Sequence, residues 1–304
     1  MSKVITAIDK SGSYSVSLTI TTDMVEEARK IHNTTPLATA ALGRVLTGAG
    51  LMSLDLKSEE NKLTVQFKGD GPARQILAAA YGDGRVKGYI SNPDVELPLR
   101  ADGHLDVGAS LGVGDLTVIK DLGMKEPYVG TIALVSGEIA DDLTAYHYIS
   151  EQQNASVALG VKISRERKVL CAGGMIIKML PGALEESVTA LEDMIGKMPP
   201  MTTSIEKVMV RSAGKTEEGI VLDLLEEIFK DMPEELMPDK TETREIRWEC
   251  DCSEERLEQI LMTIGRKDLR EIIDEDGQAE LVCQFCEKKY FFNKAHLERI
   301  YEQM

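Results

Sequence analysis

Four of the chain's five cysteines stand in its last 55 residues, as Cys250-Asp251-Cys252 and Cys283-Gln284-Phe285-Cys286. Two close pairs separated by 30 residues supply four thiolates, the number a tetrahedral zinc ion accepts. A closed shell of four thiolates leaves the metal no open position for a substrate, which argues against metal catalysis. Thiolates are also the form that oxidants attack, and the same four sulfurs can make two short-range disulfides. Cys-x-x-Cys closes readily. Cys-x-Cys is harder, because two residues of extended chain span about 7 Å, near the upper limit of Cα separation across a disulfide. Its disulfide needs a bent backbone and is expected to be easily reduced. The residues leave two readings open: a structural zinc staple, or a switch built on one.

Other chemistry-bearing residue types offer less. Cys171, within Val169-Leu170-Cys171-Ala172, reads as a buried structural cysteine. The doublets Gly48-x-Gly50, Gly69-x-Gly71, Gly82-x-Gly84 and Gly112-x-Gly114 fit neither a Walker loop nor a dinucleotide fingerprint, and read as turns and close packing. His32, His104, His147 and His296 are scattered, without a serine or cysteine triad pattern. His296 follows the second cysteine pair, but four cysteines already complete a zinc shell. Nine of the 14 methionines lie between Met175 and Met262. Met-rich surfaces repack around varied partners, yet filling gaps among helices is the reading adopted for the folded form.

The elements that must position the cysteines follow from patterning. Ser15–Ile20 alternates polar and apolar residues with period two, as a half-buried strand does. Helices are expected over 24–32 and 38–52, and strands over 63–67, 86–90, 116–121, 129–137, 156–163 and 169–177, with a helix over 141–152. Asp70-Gly71 and Asp83-Gly84 mark turns. Past Pro181-Gly182 the character turns helical, over 184–198, 202–210 and 216–229. In the last of these Val221, Leu224, Leu225 and Ile228 keep the spacing of one helix face. Pro233 and Pro238 bracket an acidic connector. In the tail, Ser253 starts a helix that Gly265 stops, a second short helix covers 267–273, residues 281–292 form a hairpin carrying the second cysteine pair, and Asn293 caps a last helix. The expected fold is therefore α+β (mixed α/β): a core domain over 1–180, a helical linker over 181–232 and a zinc-binding tail over 233–304. A tail of that size buries little surface and needs a staple.

The chain of 304 residues carries a net charge of −16. Residues 233–304 hold 11 Lys+Arg against 19 Asp+Glu, a net of −8, and a nucleic-acid module normally shows a basic face instead. No apolar run is read as approaching the roughly 20 residues of a membrane span, and Met1-Ser2-Lys3-Val4-Ile5 shows no signal-peptide pattern. A cytoplasmic protein is expected. In that reducing compartment clustered cysteines are metal ligands or redox-active thiols more often than structural disulfides. A disulfide oxidoreductase would place Cys283-x-x-Cys286 at a helix N-terminus, and a hairpin is expected there.

The motifs together resemble one family over essentially the full length: the redox-regulated thirty-three-kilodalton heat-shock chaperones (HslO). The matching segments are Cys250-x-Cys252 with Cys283-x-x-Cys286, Tyr146-His147-Tyr148-Ile149-Ser150-Glu151-Gln152, and Ala172-Gly173-Gly174 with Leu180-Pro181-Gly182-Ala183. Asp115-Leu116 and Tyr128-x-Gly130 also fall where the family has similar residues. Asn154 and Lys178 depart from it, where Pro and Gln are usual. The resemblance implies a holdase that is not an enzyme and uses no ATP. It is inactive while reduced, with one zinc per chain held by Cys250, Cys252, Cys283 and Cys286. It implies that oxidation pairs Cys250 with Cys252 and Cys283 with Cys286, releases zinc, unfolds the tail and frees apolar surface for unfolding client proteins. Homodimers, especially of the activated form, are implied as well.

Overall fold

Alternating burial along the N-terminal strands sets the architecture of the computed structural model, which describes residues 1–304. In chain order the elements are β1 (Ser2–Asp9), β2 (Tyr14–Ile20), α1 (Thr22–His32), α2 (Pro36–Met52), β3 (Lys62–Gly69), β4 (Gln75–Tyr81), β5 (Arg85–Ile90), α3 (Val107–Leu111), β6 (Gly114–Asp121), β7 (Tyr128–Ala133), α4 (Ala140–Ile149), β8 (Ala155–Ile163) and β9 (Val169–Met179). There follow α5 (Glu185–Lys197), α6 (Met201–Arg211), α7 (Glu217–Phe229), β10 (Pro238–Trp248), α8 (Glu254–Thr263), α9 (Arg266–Glu275), β11 (Gln278–Val282), β12 (Lys289–Asn293) and α10 (Lys294–Gln303). The chain divides into two units, Met1–Trp248 and Glu249–Met304.

The first unit is built on a ten-stranded sheet in the order β7-β6-β3-β4-β5-β10-β1-β2-β9-β8. Strand residues point to opposite faces in turn, and both faces of the β1-β2-β9 region are covered. Val4 and Ile176 join the core around α2, whereas Ile5, Ala7, Tyr14, Val16, Leu18, Met175 and Ile177 join a second core with α5, α6 and α7. Helix α2 begins on Thr35, whose side chain accepts from the Ala38 N–H, with Pro36 as its first residue, a favourable N-terminal pairing. It is apolar on nearly every side because nearly every side is buried. Over Pro36–Asp55 this segment is in fact long and apolar enough, by length and composition, to cross a membrane, contrary to the expectation that no run came close. Since nearly all of it is buried inside the domain, core packing accounts for that composition.

Small residues let the two layers approach the sheet. A Cβ on Gly173 would lie 2.8 Å from Ile205 Cδ1 of α6, and one on Gly174 would lie 3.1 Å from Thr47 Cγ2 of α2. The Ala172-Gly173-Gly174 segment is thus where α6 and α2 close on one strand. Cys171 beside it is fully buried, and burial pushes its thiol up to about 11, which suits the structural reading. Of the linker methionines, Met194, Met201 and Met232 are buried in the second core, as gap-filling requires.

Three strands were absent from the expectation: β1, β4 and β10. The last revises the organisation most. Residues 233–248, expected to open the zinc-binding tail, instead supply a short turn and β10, which pairs antiparallel with β1 and parallel with β5. The cysteine-bearing unit accordingly begins at Glu249. Tyr14, fully buried, fastens the turn before β10: its hydroxyl donates to the Leu236 carbonyl at 2.6 Å and its ring stacks on Phe229 with centroids 6.0 Å apart. Replacing Tyr14 by Phe keeps the stack and removes the donor from a buried carbonyl. Urea unfolding of the Met1–Trp248 unit is expected to show a loss of about 1–3 kcal/mol, and no loss would mean that water reaches that carbonyl.

In the second unit the expected helices and hairpin are present. Ser253 caps α8 by accepting from Arg256 N–H, Gly265 separates α8 from α9 at φ +94°, and Asn293 caps α10 by accepting from His296 N–H. Strands β11 and β12 pair antiparallel from Gln278↔Asn293 to Val282↔Lys289. The buried apolar cluster consists of Leu257, Leu261, Leu269, Ile273, Tyr290, Phe292, Leu297 and Ile300. Eight side chains make a thin core for three helices and a hairpin.

Candidate metal and redox centre

Each cysteine is positioned by local chain geometry. Between β11 and β12 the chain reverses through Cys283–Lys288. The Cys283 carbonyl accepts from the Glu287 N–H at 2.8 Å, and the Cys283 N–H donates to the Lys288 carbonyl at 3.0 Å. Glu287 adopts φ +58° to close this turn, which brings Cys283 and Cys286 to one side. Cys250 and Cys252 lie just before the Ser253 cap of α8, and there Asp251 accepts from the Arg256 guanidinium at 2.8 Å.

The four sulfurs converge. All lie within 4.8 Å of one another, with Cys250 Sγ 3.7 Å from Cys283 Sγ and Cys252 Sγ 3.3 Å from Cys286 Sγ. Zinc–sulfur bonds of about 2.3 Å imply tetrahedral edges of about 3.8 Å, so the first contact matches a zinc shell and the second is somewhat tighter. No disulfide joins any of the five cysteines.

Electrostatics point the same way. Burial pushes the Cys250 thiol well up and that of Cys286 up to about 11. Burial also opposes ionisation of Cys252, but hydrogen bonds from Tyr290 and the neighbouring thiols outweigh it and lower that thiol. Clustered, part-buried thiols ionise together only when a cation offsets their mutual repulsion. A bound dication supplies that offset and leaves all four sulfurs as thiolates. The donor set, four sulfurs within 4.8 Å of one another, fits a zinc ion.

One neighbour of the centre was not legible as such in the sequence. Tyr290, 6% exposed, donates its hydroxyl toward Cys252, lying 3.0 Å from the carbonyl oxygen and 3.2 Å from Sγ. Lys288 Nζ sits 4.8 Å from its ring centroid. In sequence Tyr290 is simply an inward residue of a strand, and its spacing from Cys252 carries no signal. His296 stays outside the sulfur shell. Its ring faces Glu258 through Nε2 and Glu254 through Nδ1, the latter at 3.5 Å, so it ties α10 to α8.

The remaining motif residues do not converge on the cysteines. Glu151 accepts from Tyr146 Oη at 2.6 Å and from Lys120 Nζ at 2.7 Å, and Tyr128 Oη lies 3.1 Å from Ser150 Oγ. This knot fastens the end of α4 to β6 and β7, in keeping with capping and packing. Asp115 and Leu116 lie on β6 opposite Lys68 and Phe67. Lys178, one of the two departures, pairs with Asp55.

An α/β body is followed by a small module whose four convergent thiols could hold a metal ion with no position left open to substrate. The family model described as Hsp33 protein matches residues 2–293. The chain is 43% identical over 304 residues to the 33 kDa chaperonin of Alkaliphilus metalliredigens, covering 100% of this chain and 99% of that one. It is 44% identical over 303 residues to the 33 kDa chaperonin of Clostridium perfringens, covering 99% and 91%. Among solved structures it is similar to the crystal structure of the 33 kDa chaperonin from Thermotoga maritima, with TM-score 0.84, 33% identity, and 99% and 98% of the two chains covered. The chain belongs to the Hsp33 family, whose members are chaperones and not enzymes.

Proposed function

We propose that this chaperone is a redox-switched, ATP-independent holdase of the cytosol. Reduced, its four cysteines hold one zinc ion and the Glu249–Met304 unit is folded. Oxidised, Cys250 bonds to Cys252 and Cys283 to Cys286, the thiolates needed for zinc are gone, and the unit unfolds. Two molecules of hydrogen peroxide accept the four electrons and, with four protons from solvent, leave as four waters.

The observation that carries this reading is the convergence of all four sulfurs in a unit with only eight buried apolar side chains in its cluster. The ligands that hold the unit together are the groups an oxidant consumes. In the folded state sulfurs of different pairs lie in contact, Cys250 with Cys283 and Cys252 with Cys286. Pairing within each motif removes sulfurs from those cross-motif contacts, which couples the chemistry to unfolding. Client binding then draws on apolar surface, and the helices α5–α7 hold the largest reserve. Their faces are packed on the sheet through Leu191, Met194, Ile205, Val208, Leu224 and Phe229, while Val210 and Leu184 are already exposed. Residues that leave such packing form patches that bind other apolar chains.

The test follows zinc with a chromogenic chelator while light scattering reports aggregation of an unfolding client, with and without peroxide and mild heat. The expected result is release of about one zinc per chain together with suppressed aggregation, both reversed by a dithiol reductant. Zinc that stays bound, or leaves without a gain in holdase activity, would make the centre a structural staple.

A further inference from the structure

The sulfurs of the centre receive different donors. The backbone N–H groups of Cys252 and Lys288 lie near Cys250 Sγ and Cys286 Sγ. Cys252 Sγ instead accepts the side-chain hydroxyl of Tyr290 at 3.2 Å. The same hydroxyl is 3.0 Å from the Cys252 carbonyl, so it touches both the side chain and the backbone of one residue. The ring is held by the module's core, in the cluster of Leu257, Leu261, Phe292 and Leu297. Hydroxyl and sulfur are thereby pinned together by packing that serves the fold.

We propose that Tyr290 is a positioning residue that restrains the reactivity of Cys252, occupying a sulfur lone pair with its O–H so that this sulfur meets electrophiles more slowly than its exposure would dictate. Hydrogen bonds to a charged acceptor are the strong ones, and a lone pair already bonded to a proton is less available to attack an oxidant or an alkylating agent. Donors to metal-bound ligands commonly tune their behaviour in this way. A stray electrophile is steered elsewhere, and the module is less easily lost to a single event at its α8 end. The inference rests on the redox reading above and deepens it.

The experiment uses the full-length, reduced, zinc-loaded protein and limiting iodoacetamide, in which a cysteine sulfur forms a bond to carbon and iodide leaves. Peptide mass spectrometry gives the rate at each cysteine, and the readout is the rate at Cys252 divided by that at Cys250. In Tyr290→Phe, which keeps the ring and removes the O–H, this ratio is expected to rise on the order of tenfold. Phe292→Leu, which loosens the packing around the ring but keeps the O–H, is expected to raise it by less. The inference is overturned if Tyr290→Phe leaves the ratio as in the parent, or if Phe292→Leu raises it equally. Equal rates at all four cysteines of Tyr290→Phe, as in an unfolded tail, would overturn it too by making Tyr290 a packing residue. Zinc content and peroxide-dependent holdase activity of the parent protein are measured on the same preparations. Their failure sinks the functional reading and does not move the ratio.

Discussion

Replacing Cys286 by Ser is expected to unfold residues 249–304 and leave the ten-stranded sheet of Met1–Trp248 folded, even under fully reducing conditions. The reason lies in how unequally the two units are supported. The first has two large apolar cores, one around α2 and one between the sheet and α5–α7, and none of the four clustered cysteines contributes to either. The second has eight buried apolar residues in its cluster, and its hairpin turn and the start of α8 are joined through sulfur. Structural zinc in small modules is worth roughly 10–16 kcal/mol of apparent free energy, which is in effect their folding energy. A three-sulfur remnant cannot close the shell, and a chelator acting on the parent protein should have the same outcome. Hydrogen exchange read by mass spectrometry separates the units: amides of α8, α9 and α10 should exchange freely in Cys286→Ser while those of β1, β2 and β9 keep their protection. Persistent protection in the tail without metal would show that the apolar cluster suffices, and the switch would then lack its lever.

Much of this was readable from the chain because the signals are local. A cap such as Ser253 or Asn293, a stop such as Gly265 and a two-residue alternation such as Ser15–Ile20 act within a few residues, and each of these elements is found close to where its pattern sets it. The four cysteines declare their chemistry by type and spacing alone. Strand β10 failed to declare itself for the opposite reason. Pro238–Trp248 is mostly charged, with only Pro238 and Ile246 buried, because backbone pairing to β1 and β5 holds it and side-chain burial contributes little. Those partners lie far away in sequence. Its register shows the logic only afterwards: Lys3 faces Glu245 and the two form an ion pair. Tyr290 was hidden likewise, since a hydroxyl aimed at a sulfur 38 residues away leaves no periodic trace. The composition of α2 misled in a third way, because a helix buried on all sides and a membrane-crossing one share an apolar pattern.

Between neutral pH and pH 4 the Met1–Trp248 unit is expected to lose about 3 kcal/mol of stability through His147 alone. His147 lies in α4, is 2% exposed, and neither ring nitrogen has a hydrogen-bond partner. Burial is the main cause that lowers its pKa to about 4, and the Lys178 ammonium adds to it; Asp55 and Glu151 act in the opposite direction and Lys120 lowers it further. The sign follows from linkage. Unfolded, the imidazole titrates near its ordinary value of about 6.5, so between that pH and about 4 the unfolded chain binds a proton that the folded one refuses. Stability is full above pH 6.5 or so, falls through this window and levels off below it. Carboxylates give their loss lower down. Glu26, held at about 2 by the Arg29 guanidinium, and Glu227, held at about 2 by Lys207 and Lys230, lose their contribution only as pH falls from their ordinary carboxylate range toward 2. The two effects therefore separate on the pH axis. His147→Phe should preserve the edge contact with the Tyr146 ring, now 6.1 Å between centroids, while removing the titration. Urea unfolding at pH 7.5, 6, 5 and 4.5 should give a sloping series for the parent and a nearly flat one for His147→Phe. A parent series that is already flat would mean the imidazole finds a water or a new partner on protonation. A variant that keeps the slope would assign it to another group. If the slope belongs to His147, the chaperone body weakens with acid independently of its cysteines, and an acid shift then loosens the α4 knot of Tyr146, Ser150 and Glu151 without any oxidant.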